Sequence, residues 1–202
     1  MNFDFSLVQC IHRMDEMFSL LSQKRVTECE AFLDILAQFC VDNFGAAFAR
    51  VWLADNEDKM LILKSSCGQY TRLDGSRAII PIGQGSKIDI IYTSGEPHLT
   101  NDVLTDPAVL DKEWARREGM VSFAGYPLMW GDEKLGVLGM FARHALPADV
   151  LAAMGLFTKA VSAVVFLCQQ TERNMRYFCE VTGFRRSLLE QLIRLGQKKT
   201  TA

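Results

Sequence analysis

Residues 111–141, DKEWARREGMVSFAGYPLMWGDEKLGVLGMF, predict a short helix followed by two strands that are joined by a tight turn. Trp114 starts an apolar stripe on the helix, and Gly131 with Asp132 supplies the reversal between the strands. In the second strand, 135–141, apolar residues occupy both faces, and such a strand is covered on both faces. The stretch therefore predicts a buried hairpin with a helix packed against it.

The first strand of this hairpin, 122–130, contains Pro127. Proline lacks the backbone N–H that a sheet requires, so within sheets it occurs at edges, bulges and strand ends. We therefore expect Pro127 to lie at one of these three kinds of position.

The remainder of the chain carries further helix and strand patterns. Ser86 is a good N-cap, and Gly95 is suited to end the helix that Ser86 begins. Helices are predicted at 3–21, 27–43, 86–94, 147–182 and 184–195, and strands at 46–54, 60–66, 77–81 and 98–100.

Two segments of the chain resemble the GAF domain family. SFAGYPL followed by a turn and KLGVLGMF, within residues 122–141, is similar to the last sheet hairpin of that family. IGQGSKIDIIYTSGEPHLTNDVLTDP, residues 82–107, is similar to the middle segment of the same family. The resemblance implies an α+β, PAS-like fold: a central antiparallel sheet of five to six strands, helices on both faces, and long N- and C-terminal helices.

The resemblance also divides the chain. It implies an N-terminal helix at 1–25, a GAF domain at 26–167, and a C-terminal extension at 168–202 that serves signalling and dimerisation. GAF domains as a family are small-molecule-sensing and dimerising modules that are usually attached to signalling outputs.

Composition and charge argue against several classes of partner. The net charge of -2 and the pI near 5.9 give no electrostatic case for nucleic acid or a membrane surface. No run approaches the ~18 apolar residues that a membrane span needs, and the N-terminus lacks the basic start and apolar core of a signal peptide. We therefore expect a cytoplasmic protein with neither nucleic acid nor a membrane as partner.

No catalytic or metal-binding motif is found in the sequence. There is no GxSxG, HExxH or Walker pattern, and the histidines at 12, 98 and 144 are expected to lack carboxylate partners at helix spacing. Asp102, Asp106 and Asp111 match no calcium loop and are interpreted as solvated caps. We predict no catalytic residue, no metal site and no enzyme activity; the sequence indicates no particular cofactor.

A redox enzyme is the alternative from another functional class. One GAF lineage reduces free methionine sulfoxide with several cysteines around its pocket. Here only Cys67 is placed in the central part of the domain, so that chemistry lacks a resolving partner nearby. The other cysteines lie mostly in apolar periodic segments, as is typical of small buried hydrophobic residues.

The resemblance places the ligand between the sheet and the helices that are inserted between its middle strands. Mapped onto this sequence, that cavity is lined by Arg50, Trp52, Trp114 and either Phe123 or Tyr126, because the pleat points only one of the last two inward. The ligand is then a small anionic or aromatic molecule. The alternative is a filled aromatic core with Arg50 extending to solvent.

A 4-3 spacing of apolar residues marks both terminal helices and predicts helix pairing. At ~1.5 Å per residue, the helix at 147–182 is about 54 Å long, whereas a globule of ~150 residues is about 40 Å across, so part of it is expected to lie beyond its own domain. We predict a homodimer; an intrachain hairpin at Gly183 is the alternative. The residues assigned to the dimer interface are Leu7, Ile11, Met14, Phe18, Val161, Val164, Cys168, Met175 and Phe178.

The resemblance, together with the helix patterns, implies a GAF sensor that binds a small molecule or acts as a regulatory dimerisation domain. It would pass a conformational change through its terminal helices to a signalling partner such as a kinase or a transcription-regulator module. The methionine sulfoxide reductase and a scaffold whose pocket is packed shut are the competing interpretations.

Overall fold

The computed structural model describes residues 29–75 and 77–182, together with four helical residues near the N-terminus, His12, Asp15, Glu16 and Ser19. Several predictions fall outside these residues. They are the remainder of the helix at 3–21 with Leu7, Ile11, Met14 and Phe18, the segment 184–195, and the side chain of Phe178.

Within the described ranges, each helix and strand begins and ends within two residues of its predicted position. The helices are α1 (Cys29–Phe44), α2 (Lys87–Ser94), α3 (Lys112–Arg117) and α4 (Ala148–Thr182). The strands are β1 (Ala46–Asp55), β2 (Met60–Gly68), β3 (Ile79–Pro81), β4 (His98–Thr100), β5 (Ser122–Trp130) and β6 (Glu133–Ala142).

The strands form one antiparallel sheet in the order β3-β2-β1-β6-β5-β4. α1 packs against β1 and β2, and α2 packs against β3, β5 and β6. Capping follows the sequence signals: the Ser86 hydroxyl accepts from the Asp89 N–H, and Gly95 adopts a φ of 72° at the end of α2. The predicted α+β class with a central antiparallel sheet is confirmed.

Pro127 lies where β5 has a neighbour on one side only. β6 pairs with β5 over its whole length, whereas β4 reaches only from Phe123 to Gly125. Pro127 is therefore beyond the end of β4, at a local edge of the sheet, which is one of the three expected positions.

The two central strands, β1 and β6, approach each other closely at Gly136. A Cβ atom added to Gly136 would lie 2.0 Å from the Trp52 carbonyl oxygen and 3.0 Å from the Leu53 Cα. Both neighbours are backbone atoms, which cannot rotate away. Glycine at this position is therefore required for the register of β1 on β6.

The chain divides into two compact units, Met1–Val165 and Phe166–Ala202. In the first unit, the Phe157 ring of α4 lies 5.2 Å from Phe39 and 6.5 Å from Phe44 of α1. In the second unit, the described side chains include exposed Leu167 and Tyr177 and half-buried Cys168 and Met175.

Val161 was assigned to the dimer interface, and the structure places it in the core. It is 0% exposed, and Val164 is half-buried. The apolar rhythm of α4 up to Val165 thus reflects packing within the first unit. A period of 3.5 residues identifies an apolar face of a helix but not the surface that covers it.

α4 also corrects the expectation about membrane spans. The segment Ala148–Tyr177 is long and apolar enough to cross a membrane by length and composition, and 44% of its most apolar window is buried inside the chain. A core helix of a soluble protein passes the same test. The absence of a membrane partner therefore stays a prediction.

Gly136→Ala is expected to lower the free energy of unfolding by about 2–3 kcal/mol, because the new methyl group forces β1 away from β6. Urea denaturation monitored by circular dichroism measures the change. Gly155→Ala is the matched control: its Cβ would meet only the Tyr126 ring at 3.8 Å, and alanine favours the helix. Equal stability of the Gly136→Ala variant and the native protein would contradict the close approach.

Candidate functional site

A cavity of about 400 Å³ lies on the face of the sheet that α2 covers. This volume is at the low end of the range for ligand pockets, which fits a molecule of one or two rings. Six aromatic residues line the cavity: Phe48, Trp52, Tyr70, Trp114, Phe123 and Phe141. Three cationic residues, Arg50, Arg77 and Lys87, line it as well, and so does Asp111.

The pleat of β1 builds one wall of this cavity. Phe48, Arg50 and Trp52 alternate along β1 and line the cavity, while the intervening Ala49 and Val51 are fully buried. Because β6 pairs with β1, Phe141 lies opposite Phe48, and the two rings stack with centroids 5.3 Å apart. The aromatic wall thus follows from strand alternation and register.

Four of the five predicted pocket residues, Arg50, Trp52, Trp114 and Phe123, line the cavity. Tyr126 does not, because it points to the opposite face of β5, where its hydroxyl donates to the Leu151 carbonyl at 2.7 Å. Burial raises the pKa of Tyr126 well above its ordinary value.

Several lining residues were missed by the sequence prediction. Phe48 shares the β1 alternation with Arg50, and that signal was available. Phe141 follows from pairing with Phe48, which requires the register of β6 on β1. Tyr70 and Arg77 come from the loop after β2, where no periodicity reports the direction of a side chain.

Both indole N–H groups at the cavity donate to the loop between β2 and β3. Trp52 Nε1 donates to the Arg77 carbonyl at 2.9 Å, and Trp114 Nε1 donates to the Tyr70 hydroxyl at 3.1 Å. The two indole rings therefore present apolar faces and edges to the cavity, while their N–H groups hold the loop between β2 and β3 by hydrogen bonds.

Arg50 is half-buried and carries a charge that no carboxylate of the described residues balances. Its Nε donates to the Ser66 hydroxyl at 3.2 Å, and its guanidinium carbon lies 5.5 Å from the Phe48 centroid and 5.7 Å from that of Tyr70. Among the described residues, Arg50 forms no ion pair. Burial lowers the pKa of Arg50 from its ordinary value; Tyr70 acts in the opposite direction, and nearby Arg77 lowers the pKa further. The two terminal nitrogens of Arg50 are therefore available to an acceptor in the cavity.

Lys87, by contrast, is balanced within the protein. Its Nζ lies 3.1 Å from Asp106 Oδ2 and 3.7 Å from the Phe123 centroid, and its side chain is 10% exposed. The same Asp106 oxygen lies 2.7 Å from His98 Nε2. Burial lowers the pKa of Lys87 to about 8, although Asp106 acts in the opposite direction.

Asp106 joins this network from the loop after β4. Burial by itself raises the pKa of its carboxyl, but hydrogen bonds from His98, the Ala108 N–H and Lys87 outweigh burial and lower the pKa to about 2. With a side chain that is 6% exposed, Asp106 is not the solvated cap that the sequence suggested. Long-range folding brings Asp106 to α2, and no local pattern reports it.

The histidine prediction was wrong at His12, whose Nε2 lies 3.5 Å from Glu16 Oε1, one helical turn away. His98 pairs with Asp106, which is eight residues further along the chain and so not at helix spacing. No group of three His, Cys, Asp or Glu residues in the described ranges could hold a metal ion.

Among the described residues of the first unit, no cysteine lines the cavity. Cys67 is half-buried, and its Sγ donates to the Asp34 carbonyl of α1 at 3.7 Å. Burial, followed by the charge of Asp34, raises the pKa of Cys67. Burial raises the pKa of Cys40 to about 12. Neither thiol is therefore activated as a nucleophile.

The glycine-containing loop before α2 is satisfied internally. The Asp89 carboxylate accepts from the Gly83 N–H at 2.9 Å and from the Gly85 N–H at 2.7 Å. These amides, which could otherwise form an anion cradle, are already bonded to an acid of the same helix.

Asp106→Asn is expected to lower the free energy of unfolding by about 3 kcal/mol at pH 7, because Lys87 loses the carboxylate that balances its buried charge. The pKa of the carboxyl falls from 3.8 to about 2 on folding, so its contribution is present above about pH 4 and is lost as the pH falls through about 2. The difference between native protein and variant should therefore shrink over that interval. Urea denaturation across this pH range measures it, with exposed Asp102→Asn as the control; a difference independent of pH would contradict the network.

Comparison with known proteins confirms the resemblance. No curated protein matches the sequence. Among solved structures, the GAF domain of a phosphoenolpyruvate-protein phosphotransferase from Coxiella burnetii has a TM-score of 0.71 at 15% identity, covering 84% of this chain and 99% of that chain. Free methionine-R-sulfoxide reductase from Neisseria meningitidis has a TM-score of 0.67 at 18% identity, covering 85% and 98%. A methyl-accepting chemotaxis protein has a TM-score of 0.59 at 17% identity, covering 79% and 98%.

At these identities, the likeness to solved structures establishes the fold alone. The family model for the GAF domain matches residues 27–165, which is more than half of the 202 residues. With its six-stranded antiparallel sheet and the helices around it, this chain belongs to the GAF domain family.

Proposed function

We propose that this protein is a sensor that binds a small molecule in the cavity beneath α2. Membership of the GAF family supports a sensor or regulatory module in general. The observation that carries the ligand-binding part is the open space of about 400 Å³ beside Arg50. Protein interiors contain few voids larger than a water molecule, so a cavity of this size with a cation on its wall favours a binding site over a scaffold with a closed core.

A methionine sulfoxide reductase is the competing function, since one structural neighbour carries that name. Such chemistry needs a reactive thiol at the cavity. Cys67 does not line the cavity, and burial raises the pKa of its thiol. Among the described residues, the cavity is lined by no cysteine, and this favours binding over catalysis.

In this proposal the protein is a cytoplasmic homodimer that passes the signal to a partner, such as a kinase or a transcription regulator. The second unit supports it with apolar side chains that the unit itself leaves accessible: Leu167 is 63% exposed, and Cys168 and Met175 are half-buried. Burying a side chain of that size contributes roughly 1.5–3 kcal/mol. Val161, buried in the first unit, is no longer part of the proposed interface.

Gly139→Val is expected to weaken ligand binding at least about fivefold, because the added methyl groups occupy the cavity. A Cβ at Gly139 would meet three lining side chains at 3.4 to 3.6 Å, which is ordinary contact, and thermal unfolding checks that the fold also accepts the two further methyl groups of valine. A fragment collection of acids, bases and neutral compounds serves as the probe. The readout is quenching of Trp52 and Trp114 fluorescence in a Trp130→Phe background, which removes an indole that does not line the cavity.

Gly155→Ala is the matched control for this experiment, since it adds a methyl group beside Tyr126 on the other face of the sheet. Binding should be unchanged in that variant. Ligands that bind the Gly139→Val variant as tightly as the native protein would remove the cavity as the site.

Met175→Glu combined with Phe178→Glu is expected to abolish the dimer, because the interface would have to bury two unpaired charges from each chain. Sedimentation at micromolar concentration should give about twice the 22.7 kDa monomer mass for the native protein and 22.7 kDa for the double variant. Glu172→Gln, an exposed substitution on the same helix, serves as the control. A native protein that sediments at 22.7 kDa would favour the intrachain hairpin at Gly183 instead.

A further inference from the structure

We propose that the cavity recognises an aromatic monocarboxylate, a planar ring system that carries a single carboxylate group. This inference rests on the proposed function and names the class of ligand that the same site would take. It is argued from the charge balance, the hydrogen-bonding groups and the ring geometry of the cavity.

The first argument is the free guanidinium. Arg50 uses only its Nε, towards Ser66, in the hydrogen bonds of the described residues, and this leaves the two terminal nitrogens for a ligand. Arg77 also lines the cavity and forms no ion pair within the described part of the chain. Two guanidinium groups that repel each other are stabilised by an anion bound between them. The planar fork of Arg50 matches the geometry of a carboxylate.

The second argument is the size of the ligand charge. Arg50, Arg77 and Lys87 bring three positive charges to the cavity. Two carboxylates bring two negative charges. Asp106 pairs with Lys87, and Asp111 lines the cavity, where it also caps α3 by accepting from the Trp114 N–H. Among Arg50, Arg77, Lys87, Asp106 and Asp111, one positive charge remains, and a single carboxylate balances it.

The third argument separates a carboxylate from a phosphate. Phosphate sites in proteins commonly use several backbone N–H groups of a glycine-containing loop at the start of a helix. In this chain, the corresponding amides of Gly83 and Gly85 donate to Asp89. Lys87, the cation on that helix, is engaged by Asp106 and by the face of Phe123. The groups that would bind a phosphate are therefore occupied.

The fourth argument concerns the body of the ligand. The walls are aromatic, and their rings already pair edge-to-face or stacked: Trp114 meets Phe141 at 5.2 Å and Phe48 at 6.0 Å. The indole N–H groups donate to the loop after β2, so they are not offered to polar atoms of a ligand. An aromatic ring can stack in such a cavity, whereas a polar ligand body would lose its hydrogen bonds.

Isothermal titration calorimetry on the full chain tests the inference with phenylacetate, 1-naphthoate and indole-3-acetate. Each is compared with its alcohol analogue, such as 2-phenylethanol, which keeps the ring and removes the charge. Cyclohexylacetate keeps the charge and removes the aromatic ring. We expect at least one aromatic acid to bind, with the alcohol and the cyclohexyl analogue at least about tenfold weaker.

Arg50→Gln is expected to weaken binding of the aromatic acid about ten- to a hundredfold. Arg50→Lys keeps the charge and loses the fork, so its affinity should fall between those of the native protein and Arg50→Gln. Arg116→Gln makes the same charge change on the exposed side of α3 and should have no effect. Thermal unfolding checks that each variant is folded.

The outcomes separate this inference from the proposed function. Alcohols that bind as tightly as the acids, and that lose affinity in the Gly139→Val variant, would overturn the carboxylate inference while leaving the cavity as the ligand site. Aromatic acids that bind the Arg50→Gln variant as tightly as the native protein would likewise overturn the carboxylate inference and leave the cavity as the ligand site. A folded native protein that binds none of the three acids at millimolar concentration would also overturn the inference, and the fragment experiment then decides the proposed function independently.

Discussion

The pairing of β1 with β6 is the constraint on which the rest of this structure depends. The absence of a side chain at Gly136 lets the two strands lie in register, and that register fixes which residues of β1 face α1 and which face α2. A shift of one residue would move Arg50 and Trp52 to the opposite face and fill the present cavity wall with Ala49 and Val51. The wall of the site that carries Arg50 and Trp52 is therefore fixed by the centre of the sheet.

Electrostatics divide the cations of the site into two kinds. Lys87 is desolvated, but Asp106 and the Phe123 ring compensate it, so it contributes to the structure. Arg50 has aromatic faces and one hydroxyl as neighbours, which compensate a charge only in part. A half-buried charge that no described residue neutralises can persist in a folded domain. Binding of an anion from solution would stabilise it further. This difference between two cations of one cavity could not be read from composition or net charge.

Local patterns were sufficient for most of the fold. Alternation in 122–130 and 135–141 placed the hairpin, and Ser86 with Gly95 marked the ends of α2. The same alternation placed Arg50 and Trp52 on one face of β1 and left the choice between Phe123 and Tyr126 to the pleat. The contacts of Asp106 with Lys87 and His98 were not predicted, because the three residues lie on different elements. A sequence pattern reports the directions of side chains along one element only. Val161 was assigned wrongly to the dimer interface for a related reason: the pattern shows that a helix has an apolar face but not which surface packs against that face.

The two indole donors also bear on how fast the cavity can exchange its contents. Trp52 and Trp114 hold the loop between β2 and β3 through one hydrogen bond each, to Arg77 and Tyr70. The same loop is also held by the Gln69 N–H, which donates to the Ala47 carbonyl at 2.8 Å, and by the Ser66 hydroxyl, which donates to the Tyr70 carbonyl at 2.5 Å. Releasing the two indole bonds alone therefore does not free the loop. Entry and escape of a small molecule through this loop would therefore require the whole loop to move, and the indole bonds are only part of what resists that movement.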